Sequence, residues 1–168
     1  MFSKHKHLDI EDYANSNFFG SKLNRKSILG YVSFVKGNLV IWRSKKQNVV
    51  SLSSAEVEYH ALHHATTKLT WLRILLSELG FGPKKPMVLF CDNTTTIDIA
   101  NNLVQHNQTK HFELDKNYIK DNLESSMIKV HYIKSADQLV YMITHVVTSG
   151  PFYVSLFKLG MCDIYAPT

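Results

Sequence analysis

Two acids sit where a carboxylate could do chemistry. Asp92 closes the apolar run MVLFC, which follows Pro86, and a side chain at the end of such a run emerges from the core at a sheet's rim. Glu58 lies in the second turn of a long helical pattern, one residue past Val57, at the border of its apolar stripe. Paired carboxylates suit phosphodiester hydrolysis because they can hold two divalent ions against the attacking and leaving oxygens. Magnesium takes such oxygen ligands in near-octahedral geometry. The neighbouring Glu56 has a structural reading instead. Ser53 and Glu56 fit the S-x-x-E capping box, in which Glu56 reaches back to the Ser53 amide. Glu58 is too far into the helix to cap it. By pattern alone Glu58 could be a solvated helix acid and Asp92 a strand-end cap, so the pair needs a fold that brings it together.

Other chemistry is weaker. His60 and His64 share a helical face, but the segment lacks the glutamate of H-E-x-x-H and no third ligand is indicated, so packed or surface histidines are expected. His106 and His111 lie in a polar stretch without ligand spacing. Trp42-Arg43-Ser44-Lys45-Lys46-Gln47 sets three cations beside an aromatic ring at a strand exit, a patch that could contact phosphates or simply be solvated. No glycine-rich phosphate loop and no nucleophile elbow occurs. Cys91 and Cys162 form neither a C-x-x-C pair nor a disulfide framework, which suits a reducing intracellular compartment, cytoplasmic or nuclear.

The elements that must position these residues read as follows. A strand of impure alternation is expected over 8–14. Ile28 to Val35, the turn Lys36-Gly37-Asn38 and Leu39 to Trp42 give a hairpin. A helix capped by Ser53 carries Val57, Ala61, Ala65, Leu69, Leu72, Leu76 and Leu79 at three- and four-residue steps and ends at Gly80. Met87 to Cys91 is a buried strand, and Asn93 caps a helix to about Asn101. Phe112 to Glu124 reads as a helix, Met127 to Ile133 as a strand, Ala136 to Val146 as a helix interrupted by Gly150-Pro151, and Phe152 to Leu159 as a last helical piece. This order implies an α/β fold, a mixed sheet flanked by helices.

The 168 residues, 45% hydrophobic and 20% charged, suit one domain with a real core. We expect it to span 1–148, with 149–168 a C-terminal tail bearing a short helix. The net charge of +5 is compatible with a polyanionic partner. No apolar run approaches the ~20 residues of a membrane span, and the basic start lacks the apolar region of a secretory signal.

Together the stretches ILGYVSFVKGNLVIWRSKKQNVVSLSSAEVEYHAL, TWLRILLSELGFGPKKP, LFCDN, TKHFELDKNYIK and KLGMCDIYAPT resemble the ribonuclease H domain of copia-type LTR retrotransposons, particularly plant ones. The similarity runs over essentially the whole chain, and the SKKQ, SSAExEY and CDN signals in this order are highly specific. The resemblance implies the ribonuclease-H-like fold, a five-stranded mixed sheet with helices on both sides, at the end of a Pol polyprotein. An active member cleaves the RNA strand of an RNA–DNA hybrid with two divalent ions, Mg2+ or Mn2+, held by four acids.

Carried over position by position, the helical acid is Glu58 and the strand-four acid Asp92. The first-strand segment Y-T-D-A-D-W-A-G-S aligns with Tyr13-Ala14-Asn15-Ser16-Asn17-Phe18-Phe19-Gly20-Ser21, so Asn15 stands in the place of the metal-binding aspartate and Asn17 in that of the second. A rival register using Asp12 would need a gap. The late segment Q-L-A-D-I-L-T-K aligns with Gln138 to His145, so Tyr141 stands where the fourth acid belongs, and Asp137 is a helical turn away. Glu58 and Asp92 remain as metal ligands, and metal binding is weakened or lost. The resemblance therefore implies a domain that has largely lost cleavage. It would retain at most backbone contacts to hybrid or other nucleic acid through Arg43, Lys45, Lys46, Ser53 and Ser54. The alternatives are a weakened one-metal nuclease at Glu58 and Asp92, or a relic without activity. A monomer, or a part of a larger polyprotein, is expected.

Overall fold

The computed structural model describes residues 8–18, 20, 26–48, 53–101 and 110–161. Cys162, His106, residues 51 and 52 and the end of the C-terminal tail lie outside them, as does the side chain of His111.

Five strands, β1 (Ile10–Asn17), β2 (Ile28–Val35), β3 (Asn38–Lys46), β4 (Met87–Cys91) and β5 (Ile128–Tyr132), form one mixed sheet in the order β3-β2-β1-β4-β5. The β1–β2 and β2–β3 pairs are antiparallel, and β1–β4 and β4–β5 are parallel. The helices are α1 (Ser54–Glu78), α2 (Thr94–Asn101), α3 (Lys110–Glu124), α4 (Tyr141–Thr144) and α5 (Ser149–Lys158), with a 3-10 turn at Ser135–Asp137. Among the described residues no helix is long and apolar enough to cross a membrane.

Strand periodicity explains the layers. In β2 the side chains of Leu29 and Tyr31 join the core under α1, while Val32 and Phe34 join a second cluster with Val140 and Leu159 on the opposite face. A central strand covered on both faces has no solvated side, which is why ILGYVSFV is almost continuously apolar. β3 is an edge strand, and its run of exposed polar and charged residues blunts pairing with another chain. Lys36 (φ 55°) and Gly37 (φ 70°) make the tight two-residue turn between β2 and β3, both left-handed as a type I′ turn requires. Ser53 caps α1: its Oγ accepts the Glu56 amide at 3.1 Å, one half of the expected capping box. At its other end Gly80 (φ 80°) lets Phe81 N–H reach Leu76 O, closing a Schellman motif.

Several boundaries differ from the sequence reading, β3 among them, which runs past Trp42 to Lys46. β1 runs past Ala14 to Asn17, because pairing of Asn15 with Gly30 and of Asn17 with Ile28 outweighs the poor strand propensity of asparagine. The helix expected over 136–146 is broken. Gln138 donates Nε2–H to Ala14 O at 3.0 Å and accepts from Val140 N, which re-aims the chain and leaves α4 only four residues. α5 starts at Ser149, with Pro151 inside its first turn, where a missing N–H costs no helical bond.

Candidate active site

Register carries the site residues to one rim. Tyr13 pairs with Phe90 across the parallel β1–β4 ladder, and two residues further on Asn15 and Asp92 leave it at the same level. On the other side Asn17 is level with Ile28, and Ile28 with Lys46. The N-terminal turns of α1 lie over β1: the amide of Ser16 donates to Glu58 Oε1 at 3.3 Å.

Glu58 and Asp92 meet there. One donor atom from each of Glu58, Cys91 and Asp92 lies within 4.8 Å of the others, and among the described residues this is the one group of three potential metal donors so gathered. Glu58 is 8% exposed and its Oε2 has no hydrogen-bond partner. Burial, then the charge of Asp92, pushes its carboxyl up to about 8, against the Ser16 bond that favours the anion. A carboxyl raised on folding contributes stability that is fully present below its unfolded value, near 4.5, and is lost as pH rises through about 8. In chelator, the unfolding free energy from denaturant titrations should therefore fall over that window by on the order of a few kcal/mol, and Glu58→Gln should flatten the fall. Equal pH slopes in both proteins would remove the burial argument.

Asn15 is 2% exposed and its Nδ2 has no hydrogen-bond partner. It points to the face that carries α4, opposite Gly30. A Cβ added at Gly30 would stand 2.7 Å from Thr144 Cγ2 and 2.8 Å from Val140 Cγ1, so only glycine lets α4 seat so closely. Asn17 Nδ2–H to Thr144 O (3.2 Å) and Ser44 O–H to Ile143 O (2.7 Å) fix the same short helix to β1 and β3. Tyr141, at its start, is 42% exposed and stacks flat on His145, with ring centres 4.1 Å apart and planes 5° apart. Tyr141 also lines a cavity of about 570 Å³ with Gln138, Pro151, Val154 and Lys158.

The cations reach the same end but not one face. Arg43, Lys45 and Lys46 are exposed on the last turns of the pleat in β3, and Ser53 and Ser54 are exposed at the start of α1. Alternation sends Arg43, which reaches the Tyr31 hydroxyl, and Lys45 to the α1 side, and Lys46 with the exposed Trp42 to the α4 side. With strands ~4.8 Å apart, β3 lies ~10 Å from β1 across the rim.

Two residues at the rim were given no site role by the sequence reading, although His145 departs from the family pattern beside Tyr141. Cys91 belongs to the inward alternation of Met87 and Leu89, and that period places its thiol beside Glu58; burial pushes the thiol up to about 12. His145 is lowered by burial, while the carbonyl of Tyr141 and the charge of Asp92 act the other way, so α4 and β4 share one electrostatic environment. Two acids stand away from the rim. Asp12 is sealed in mid-strand, where it accepts from Ser33 Oγ at 2.9 Å, and its carboxyl is raised well above the usual range by burial. Asp137 is exposed and faces Lys158 at 4.0 Å. His60 and His63 both turn to Asp115 of α3 (2.6 and 3.2 Å), tying two helices together.

No protein-family profile matches the chain. It is 32% identical over 152 residues, 90% of its length, to the retrovirus-related Pol polyprotein from transposon TNT 1-94 of Nicotiana tabacum. It is 29% identical over 157 residues, 94% of its length, to that from transposon RE1 of Arabidopsis thaliana. In three dimensions it is similar to LC11 ribonuclease H1 in complex with an RNA/DNA hybrid (TM-score 0.56, 16% identity, 77% of this chain and 88% of that one). It is also similar to the N-terminal ribonuclease H domain of a Mycobacterium tuberculosis protein (TM-score 0.55, 9% identity, 89% and 97%). The chain is a ribonuclease-H-like domain of the copia-type Pol family. It spans 11% of the length of the two plant polyproteins. In this ribonuclease-H-like domain the acids that meet at the rim are Glu58 and Asp92; Asn15 ends level with Asp92 on β1, and Tyr141 begins α4 and stacks on His145.

Proposed function

We propose that this domain grips the backbone of RNA–DNA hybrid and does not cut it efficiently. The observation that carries the reading is the composition of the rim: two carboxylates, Glu58 and Asp92, with a buried amide at Asn15 and a phenol at Tyr141 where the family pattern has acids. An amide keeps a carbonyl oxygen but no charge, and a phenol is neutral at pH 7. A divalent ion held by Glu58 and Asp92 would supply electrophilic stabilisation of a phosphate oxygen. The unpartnered Glu58 Oε2 fits one such ion. It does not fit two, since two ions bring four positive charges to a rim with two opposing anions. That one-ion fit also supports a second reading, a much weakened nuclease acting through Glu58 and Asp92.

Binding would use phosphate contacts from Arg43, Lys45 and Lys46 and hydroxyl contacts from Ser53 and Ser54, none of which reads sequence. Affinity for hybrid should fall as salt rises, with a log–log slope of about 0.9 for each phosphate neutralised. Lys45→Ala with Lys46→Ala should reduce that slope by roughly two. Fluorescence anisotropy of a labelled hybrid across a salt series measures both. A flat salt response, or no binding at low ionic strength, would leave the fold as a relic without this function.

A further inference from the structure

His60 and His64 share one face of α1, and the end of β3 faces them across a groove of about 270 Å³. We propose that this groove, walled by Lys45, Gln47 and Asn48 on one side and by His60 and His64 on the other, seats one phosphate of a nucleic-acid backbone. The proposal rests on the reading above that the domain binds hybrid, and gives one of its contacts a built place.

The groove is fixed from both sides. Lys45 stands opposite Leu29 in the antiparallel β2–β3 ladder, on the face of the pleat that carries α1. Leu29, 2% exposed, is the apolar floor. Gln47 is anchored at the strand's end, where its backbone amide donates to Ser27 O at 2.8 Å. On the helix, His60 Nδ1 pairs with one oxygen of Asp115 at 2.6 Å and His63 Nδ1 with the other at 3.2 Å, which sets the turn of α1 that faces the strand. An ammonium, two side-chain amides and imidazole N–H groups are donors, and among the described residues the lining holds no carboxylate. That set suits an anion that only accepts, and a low-dielectric floor concentrates the field of Lys45 on it. From Ser54 to His64 is ten residues, ~15 Å along the axis, so this phosphate is a different one from any met by Ser53 and Ser54.

A seated phosphate would also change His64. Partial burial, then His63 and Lys45, hold its imidazolium below the ordinary range, with Asp115 acting the other way and His60 adding to the effect. The charged groups about it are therefore His60 and His63 on α1, Lys45 on β3 and Asp115 on α3, with Glu56 beside His60. An anion between Lys45 and His64 opposes that repulsion, so binding draws a proton from solvent onto His64. Affinity then rises as pH falls through the interval between the bound and the free value of His64.

Fluorescence anisotropy of a labelled hybrid with the full chain, in chelator and from about pH 8 to about pH 5.5, reads both effects. Affinity should rise on acidification. His64→Gln should weaken binding at about pH 6 by roughly three- to five-fold, the scale of one exposed ion pair, and should flatten the pH response. Its loss and that of Lys45→Ala should combine less than additively. His131→Gln, an exposed change on β5 at the far edge of the sheet, should bind as the parent does. The histidine ring signals of the parent, in a nitrogen-15 spectrum, give a readout that needs no variant to fold normally: the His64 signal, identified by its loss in His64→Gln, should move with hybrid, and with inorganic phosphate only at far higher concentration. Hybrid binding that leaves the His64 signal in place, or unchanged affinity in His64→Gln at about pH 6, would overturn the groove and leave the hybrid reading standing. A signal that moves with inorganic phosphate and not with hybrid would make the groove a seat for the free ion and overturn the proposal. A chain that binds no hybrid at any pH would overturn the hybrid reading itself, and this proposal with it.

Discussion

The double variant Asn15→Asp with Tyr141→Asp should cleave the RNA strand of a hybrid in magnesium, at a rate at least ~10²-fold above that of the unmodified chain. The estimate is the lower end of what one preorganised charge stabiliser contributes in other hydrolases, and two changes at one site need not add. Asn15 is buried beside Asp92's strand, within the environment that already raises Glu58. A third carboxylate there repels the others until a cation arrives, so Asn15→Asp alone should be less stable than the parent in chelator and should recover in millimolar magnesium. Tyr141→Asp alone should do less. It removes a ring stacked on His145 and opens the rim toward the cavity beside α5, but supplies no ligand near Glu58. Gel analysis of labelled hybrid with all four combinations, and calorimetry of magnesium binding, test this. A double variant that folds and binds magnesium but leaves the RNA intact would show damage beyond the ligands, with Val140 and His145 the first residues to examine.

Gly30→Ala should destabilise the domain by ~1–3 kcal/mol, the usual cost of overpacking. The added methyl would stand 2.7 Å from Thr144 Cγ2 and 2.8 Å from Val140 Cγ1, so α4 must lift off the sheet. Lifting it would strain the Asn17 and Ser44 bonds to Thr144 and Ile143. Removing the two obstructing groups with Val140→Ala and Thr144→Ser should make Gly30→Ala nearly neutral in that background. Urea denaturation across the cycle measures the coupling. Simple additivity would mean that α4 is not seated against β2 as described.

Much of this was legible in the sequence because local signals agreed with the fold. Ile28–Val35 and Met87–Cys91 are apolar runs with clean ends, and Ser53 caps α1 where its motif stands. β1 was less legible: its last residues, Asn15, Ser16 and Asn17, are held by pairing to β2 rather than by propensity. α4 was not legible as a four-residue helix, since Gln138 breaks the pattern through a bond to Ala14, which is far away in sequence. Glu58 and Asp92 could be named as acids from their positions, but only the packing of α1 over β1 gives them a common rim. Cys91 looked like a core residue and is one; its place beside Glu58 comes from the packing of α1 on that face, which no spacing within β4 encodes.

On our proposal the domain holds hybrid without cutting it. The most direct measurement incubates the unmodified chain with a hybrid labelled on its RNA strand, at low salt in magnesium or manganese, and reads native and denaturing gels from the same tube. We expect a shifted complex whose RNA stays full length. Shortened RNA that disappears when Asp92→Asn replaces the parent would contradict the claim and establish an active nuclease at Glu58 and Asp92.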